Sequence, residues 1–148
     1  MIISSYNNIG FCIILGTKDW DAIDLSVDGT FIAGVIYDGY IYTSNDFGTN
    51  WIEHKEAGHR LWSGIALSNN GQYIASCVYG GYIQQSTNYG ETWIELKSSV
   101  YEFYRDITSD STGKGYTIII ISSIVLLSYE STSLVSSLLP SPRRQLYY

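Results

Sequence analysis

The sequence predicts an all-β chain, a partial β-propeller of four-stranded antiparallel blades with a 42-residue repeat. Three observations carry this reading. Fourteen Tyr, 4 Trp and 14 Gly against 2 Pro in 148 residues supply strand and turn formers rather than helix formers. Residues 20–55 written under 62–97 without a gap agree at 17 of 36 positions, beginning with Trp20/Trp62 and ending with Lys55/Lys97. Each copy also divides into four short strand-like runs parted by turn residues.

The units follow in order. Residues 1–19 read as the remnant of a preceding blade or an N-terminal strand, because Asn8-Ile9-Gly10 precedes an apolar run. Residues 20–61 form the first complete blade. Its 20–25 stretch alternates apolar and polar, and Ser26-Val27-Asp28-Gly29 then turns the chain, glycine allowing positive φ and aspartate bonding its own backbone. A continuous apolar run, 31–37, suits a strand buried on both faces, and Asp38-Gly39 reverses it into 40–43. The fourth strand is 51–55. Residues 62–103 repeat this pattern, with Gly80-Gly81 at the central hairpin. Residues 104–135 read as a degenerate third blade, since 42 more places Trp62 on Tyr104, Ile65 on Ile107, Gly71 on Gly113, Ile83 on Val125 and Ser86 on Ser128. Its apolar stretch 116–127 is too short for a membrane helix, which needs about 20 residues, and reads as a buried strand pair. Residues 136–148, rich in Ser with Pro140, Pro142, Arg143 and Arg144, read as a disordered tail.

Between the third and fourth strands, Ser44-Asn45-Asp46-Phe47-Gly48-Thr49-Asn50-Trp51 and Ser86-Thr87-Asn88-Tyr89-Gly90-Glu91-Thr92-Trp93 resemble the Asp-box of BNR repeats, Ser-x-Asp-x-Gly-x-Thr-Trp. In that family the box joins those two strands, where the strand reading already places it. Asp46 or Asn88 can accept backbone N–H groups, Gly48 or Gly90 takes positive φ, the Ser44 or Ser86 hydroxyl closes the loop, and Trp51 or Trp93 anchors it. The first box departs from the pattern at Asn50 and the second at Asn88, while Thr92 keeps the family residue. The third, 128–135, keeps Ser128 and an acid but lacks the Gly and Trp. Proteins with such boxes include sialidases, sortilin-type receptors, xyloglucan-degrading hydrolases and photosystem II stability and assembly factors, and the repeat is most similar to the last group. The resemblance implies a structural role for these residues.

Function is narrowed mainly by exclusion. Eight Lys and Arg against 14 Asp and Glu give a net charge of −6, which argues against a nucleic-acid surface. Cys12 and Cys77 lie in apolar runs and imply no disulfide framework. The two histidines, His54 and His59, have no cysteine nearby, so no metal site is expected, and no cofactor motif occurs. Both histidines read as solvated loop residues between blades, with Glu56 near His59. A sialidase would need an arginine cluster, whereas the arginines here are Arg60, Arg105, Arg143 and Arg144, and Arg105 reads as structural. No catalytic residue is assigned. With no secretory signal or transmembrane helix, a cytoplasmic location is the default expectation. The expectation is a non-catalytic binding or scaffold module, part of or completing a larger propeller. It would engage a protein, or copies of itself through open blade edges, with a glycan as a further candidate. The alternatives are a sialidase-like glycoside hydrolase fragment and a photosystem II assembly factor-like protein.

Overall fold

The computed structural model describes residues 2–4, 12–14, 18–97, 99, 102–120 and 123–128. A short hairpin pairs β1 (Ile2–Ser4) with β2 (Cys12–Ile14). The first sheet is β3 (Ala22–Leu25), β4 (Ile32–Val35), β5 (Ile41–Ser44) and β6 (Ile52–His54), in that order. A single 3-10 turn, Lys55–Ala57, leads to the second, β7 (Trp62–Leu67), β8 (Ile74–Gly81), β9 (Ile83–Ser86) and β10 (Ile94–Leu96). A third contains β11 (Glu102–Ser109), β12 (Gly115–Ile120) and β13 (Ser123–Ser128). Every pairing is antiparallel. The expected tail 136–148, and the third box beyond Ser128, lie outside the described residues.

The turn between the first and second strands is closed by local chemistry in all three sheets. The Ser26 hydroxyl donates to Asp28 Oδ1 at 2.6 Å, and the same oxygen accepts the Thr30 N–H at 3.0 Å. Ser68 and Asn70 repeat the arrangement, with the Gln72 N–H as second donor. The third sheet exchanges the two partners, the Thr112 hydroxyl donating to Asp110 at 2.7 Å. Gly29, Gly71 and Gly113 each take positive φ, at 73°, 77° and 71°, at the place where a side chain would be strained. These turns need no tertiary partner to satisfy their polar groups, which explains why four strands fit so short a repeat.

Packing lies between the sheets. Trp62, Ile65, Leu67 and Ile74 of the second sheet bury against Phe31, Ala33, Val35, Ile41 and Ala57 of the first blade. Tyr104 and Ile107 of β11 bury against Ala66, Ala75, Cys77 and Ile83 of the second sheet. The opposite side of the first sheet carries Ile32 with Trp20, Ile23, Leu25 and Trp51 around it. The backbone seam repeats as well. Gly39 bridges Arg60, and 42 residues later Gly81 pairs with Glu102. The Val27 N–H donates to the Asn69 carbonyl at 2.8 Å, and the Asn69 N–H donates to the Ser111 carbonyl at 2.9 Å. Among the described residues, no helix is long and apolar enough to cross a membrane.

Candidate functional site

Antiparallel pairing sends the start of each innermost strand and the hairpin between the second and third strands to one end of the sheets. At that end Asp21, Tyr37, Ser63, Tyr79 and Arg105 line a cleft of about 420 Å³. The residues are related by the repeat: Asp21, Ser63 and Arg105 occupy one position in three successive copies, and Tyr37 and Tyr79 occupy another in two. Three sheets therefore contribute the same structural position with an acid, a hydroxyl and a base.

Each side chain is held by its strand. The Asp21 N–H donates to the Val35 carbonyl at 2.9 Å, and desolvation raises its carboxyl above the ordinary carboxylate range. Ser63 is committed to the seam, its hydroxyl donating to the Tyr104 carbonyl at 2.9 Å beside Cys77. Burial pushes the Cys77 thiol up to about 12, so it remains uncharged there. The Arg105 guanidinium lies 5.6 Å from the centre of the Tyr79 ring, which tilts onto Phe103 at 5.1 Å. The ion pairs among the described residues are His54–Glu56, Lys55–Glu53, His59–Asp38 and Arg60–Glu95, so Asp21 and Arg105 face the cleft without salt-bridge partners. The cleft thus offers an acceptor, a cationic donor and two aromatic walls to one ligand.

The residues of the 44–51 and 86–93 turns lie away from this cleft. Ser44 Oγ donates to Asp46 Oδ1 at 2.8 Å and accepts the Gly48 N–H at 2.9 Å. Asp46 also receives the Asn50 N–H at 2.9 Å, and the Asn50 side-chain amide donates to its second oxygen at 2.7 Å. In the next copy Ser86 Oγ accepts the Gly90 N–H at 2.9 Å, while the backbone N–H and hydroxyl of Thr92 both donate to Asn88 Oδ1. The two departures from the box pattern are thus chemically absorbed: Asn50 supplies an amide donor where Thr would supply a hydroxyl, and Asn88 keeps the acceptor oxygen. Both turns place the residue before glycine at positive φ, 59° at Phe47 and Tyr89, a feature the sequence does not announce. Trp93 Nε1 donates to the Gly90 carbonyl at 3.0 Å, whereas Trp51 turns onto Trp20 at 4.6 Å and its buried Nε1 has no partner.

One expectation is corrected. His54 is not a solvated loop residue: it ends β6 with 6% exposure, its Nε2 2.7 Å from Thr43 Oγ1 and its Nδ1 2.9 Å from Glu56. Glu56 pairs with this histidine, and His59 lies beside Asp38 at 3.6 Å and Tyr40 at 5.1 Å. The cause is register, since pairing of Ile41 with His54 carries β6 one residue into the polar stretch and under the glycine turn of the next blade. A Cβ on Gly90 would lie 3.1 Å from His54 Nε2. Sequence reasoning also missed the cleft. The available signal was divergence within the repeat, because positions 21, 63 and 105 carry Asp, Ser and Arg while Ile23, Ile65 and Ile107, two residues on, agree.

No protein-family model matches the chain, and no curated protein matches it. Solved structures do. YCF48 from Cyanidioschyzon merolae superposes with a TM-score of 0.61 at 18% identity, over 74% of this chain and 34% of that one. A structure of YCF48 bound to D1 peptide gives 0.59 at 13% identity, over 73% and 37%. The GH74 enzyme of Niastella koreensis gives 0.59 at 18% identity, over 76% and 17%. At these identities the likeness concerns the fold, and it defines the class: the chain is part of a β-propeller. It spans little more than a third of the length of either YCF48 chain and less of the enzyme.

Proposed function

We propose that the chain is a non-catalytic β-propeller module that binds an extended segment of another protein in the cleft between Asp21 and Arg105. We read the 44–51 and 86–93 turns as Asp-boxes of the BNR type that tie off the outer strands. The observation that carries the functional reading is the conversion of one repeat position into three different polar groups around a shared space. An extended peptide offers amide donors to Asp21, carbonyls to Arg105 and apolar side chains to Tyr37 and Tyr79. The YCF48 structure solved with D1 peptide supports a peptide as the ligand class.

The likeness to a GH74 enzyme favours hydrolysis as the competing reading. Two-carboxylate hydrolysis requires a pair of acids about 5–9.5 Å apart, and Asp21 is the one carboxylate lining this cleft. Ser63 faces a carbonyl rather than a general base. The test is a peptide selected from a random displayed library on the full chain, its affinity read by fluorescence polarisation. Arg105→Ala and Asp21→Ala are each expected to weaken it at least tenfold, about 1.4 kcal/mol. Unchanged affinity in both variants rejects the cleft. Turnover of a fluorogenic glucoside or sialoside that vanishes in Asp21→Asn rejects the non-catalytic assignment.

A further inference from the structure

The third sheet ends differently from the other two. In the complete sheets the third strands, β5 and β9, are enclosed, β5 between β4 and β6 and β9 between β8 and β10. The repeat makes β13 their counterpart, with Val125 at the place of Ile83 and Ser128 at that of Ser86. Among the described residues, however, β13 pairs only with β12, from Gly115↔Ser128 to Ile120↔Ser123, and stands at the edge of the sheet. An interior type of strand has been left in an edge position.

The natural edges show what is missing. Strands β6 and β10 are three residues long and carry Glu53 and Glu95 at their centres. A short strand with a central charge is a standard protection against sheet-to-sheet pairing. By contrast β13 is six residues long, Ser-Ile-Val-Leu-Leu-Ser, with no charge. Its own chain is poorly suited to cover it. The covering strand would have to follow a turn in which Thr132 replaces Gly48 and Gly90, whose φ values are 84° and 88°, and a β-branched residue strongly disfavours that region.

The strand also matches itself. Turned antiparallel about a two-fold axis between Val125 and Leu126, it sets Ser123 opposite Ser128, Ile124 opposite Leu127 and Val125 opposite Leu126. Every opposed pair is then two apolar residues or two serines, and the antiparallel sense is that of every other pairing in the molecule. We propose that β13 pairs with β13 of a second copy of this chain, joining β11-β12-β13 of each copy into one six-stranded sheet across an isologous interface. None of the cleft residues takes part, so this proposal and the cleft reading fail independently.

The experiment is sedimentation equilibrium of the full chain, with two charge variants and their mixture. The native chain is expected at the mass of two 16.6 kDa chains. V125K and L126E are each expected at the mass of one chain, because each sets a charge against an apolar residue of the partner. Mixed in equal amounts they are expected to restore the two-chain mass, since Lys at 125 then faces Glu at 126 of the other copy. A variant that merely misfolds gives no such rescue. Hydrogen exchange of the native chain supplies an arm without mutation: protection of the 123–128 amides is expected to rise between about 1 and about 100 µM protein. A one-chain mass together with concentration-independent exchange overturns the proposal, as does a dimer indifferent to both substitutions.

Discussion

The two junctions between successive sheets share a backbone and differ in what fills them. Gly39 and Arg60 at the first correspond to Gly81 and Glu102 at the second, and Val27–Asn69 to Asn69–Ser111. Between the first two sheets the space is occupied by Trp62, fully buried, whose indole N–H donates to the Gly39 carbonyl at 3.1 Å, with Ile65, Leu67 and Ile74 beside it. At the second junction Tyr104 stands for Trp62 and Ser109 for Leu67, and hydroxyl bonds replace apolar volume: Ser109 Oγ donates to the Leu67 carbonyl at 2.6 Å and Ser63 Oγ to the Tyr104 carbonyl at 2.9 Å. The seam is therefore set by main-chain geometry, while the strength of each junction depends on how much apolar surface its side chains remove from water.

The largest effect should come from emptying the first junction. Trp62→Ala is expected to cost about 3–5 kcal/mol, measured by urea denaturation, and Tyr104→Ala less. An inverted order would show that the hydroxyl bonds, not the apolar filling, hold the blades together. Next are two glycines at the same place in successive turns. A Cβ on Gly71 would lie 2.7 Å from the Phe31 ring across the junction, whereas one on Gly29 meets Leu25 at 3.9 Å, and both residues take positive φ. Gly29→Ala carries the backbone strain alone, about 1 kcal/mol, and Gly71→Ala is expected to exceed it by about 1–3 kcal/mol of overpacking. Equal destabilisation would mean that the junction yields freely.

Smaller again is the difference between the two box tryptophans. Trp93→Phe loses the bond to the Gly90 carbonyl, about 1 kcal/mol, while Trp51→Phe removes a buried donor that has no partner. Calorimetry should therefore show the lower melting temperature for Trp93→Phe. The smallest effect concerns acid. Hydrogen bonds from Asn50 and Ser44 hold the Asp46 carboxyl below its ordinary 3.8. The stability it contributes is present above that value and is lost as the pH falls through the lower, folded one. Its counterpart Asn88 does not titrate. Asp46→Asn is expected to leave neutral-pH stability nearly unchanged and to flatten the decline below about pH 4, read from thermal melts across that range.

Much of the fold was legible because its information is local. Ser26-x-Asp28-Gly29 and Ser68-x-Asn70-Gly71 close themselves with their own side chains, so the turns, and with them the strands, appear in the sequence as plainly as in space. Even the exchange of partners at Asp110 and Thr112 preserves one acceptor and one hydroxyl at fixed spacing. The cleft was not legible, since Asp21, Ser63 and Arg105 lie 42 residues apart and acquire a common meaning only when the sheets stack. His54 was misread for a related reason. It follows Glu53 in a polar stretch, and only the pairing of β5 with β6 shows that it points under the neighbouring turn toward Thr43.

The Val27–Asn69–Ser111 series has a consequence for how such a chain can grow. Asn69 receives a main-chain hydrogen bond from the preceding turn and gives one to the following turn, through its own carbonyl and amide. No side chain is consulted at this contact. A duplication or loss of 42 residues therefore meets a neighbour it already fits, whereas a change of any other length breaks the step. The backbone conserves the module, and each new copy leaves its equivalent of positions 21, 63 and 105 open to change independently of the rest.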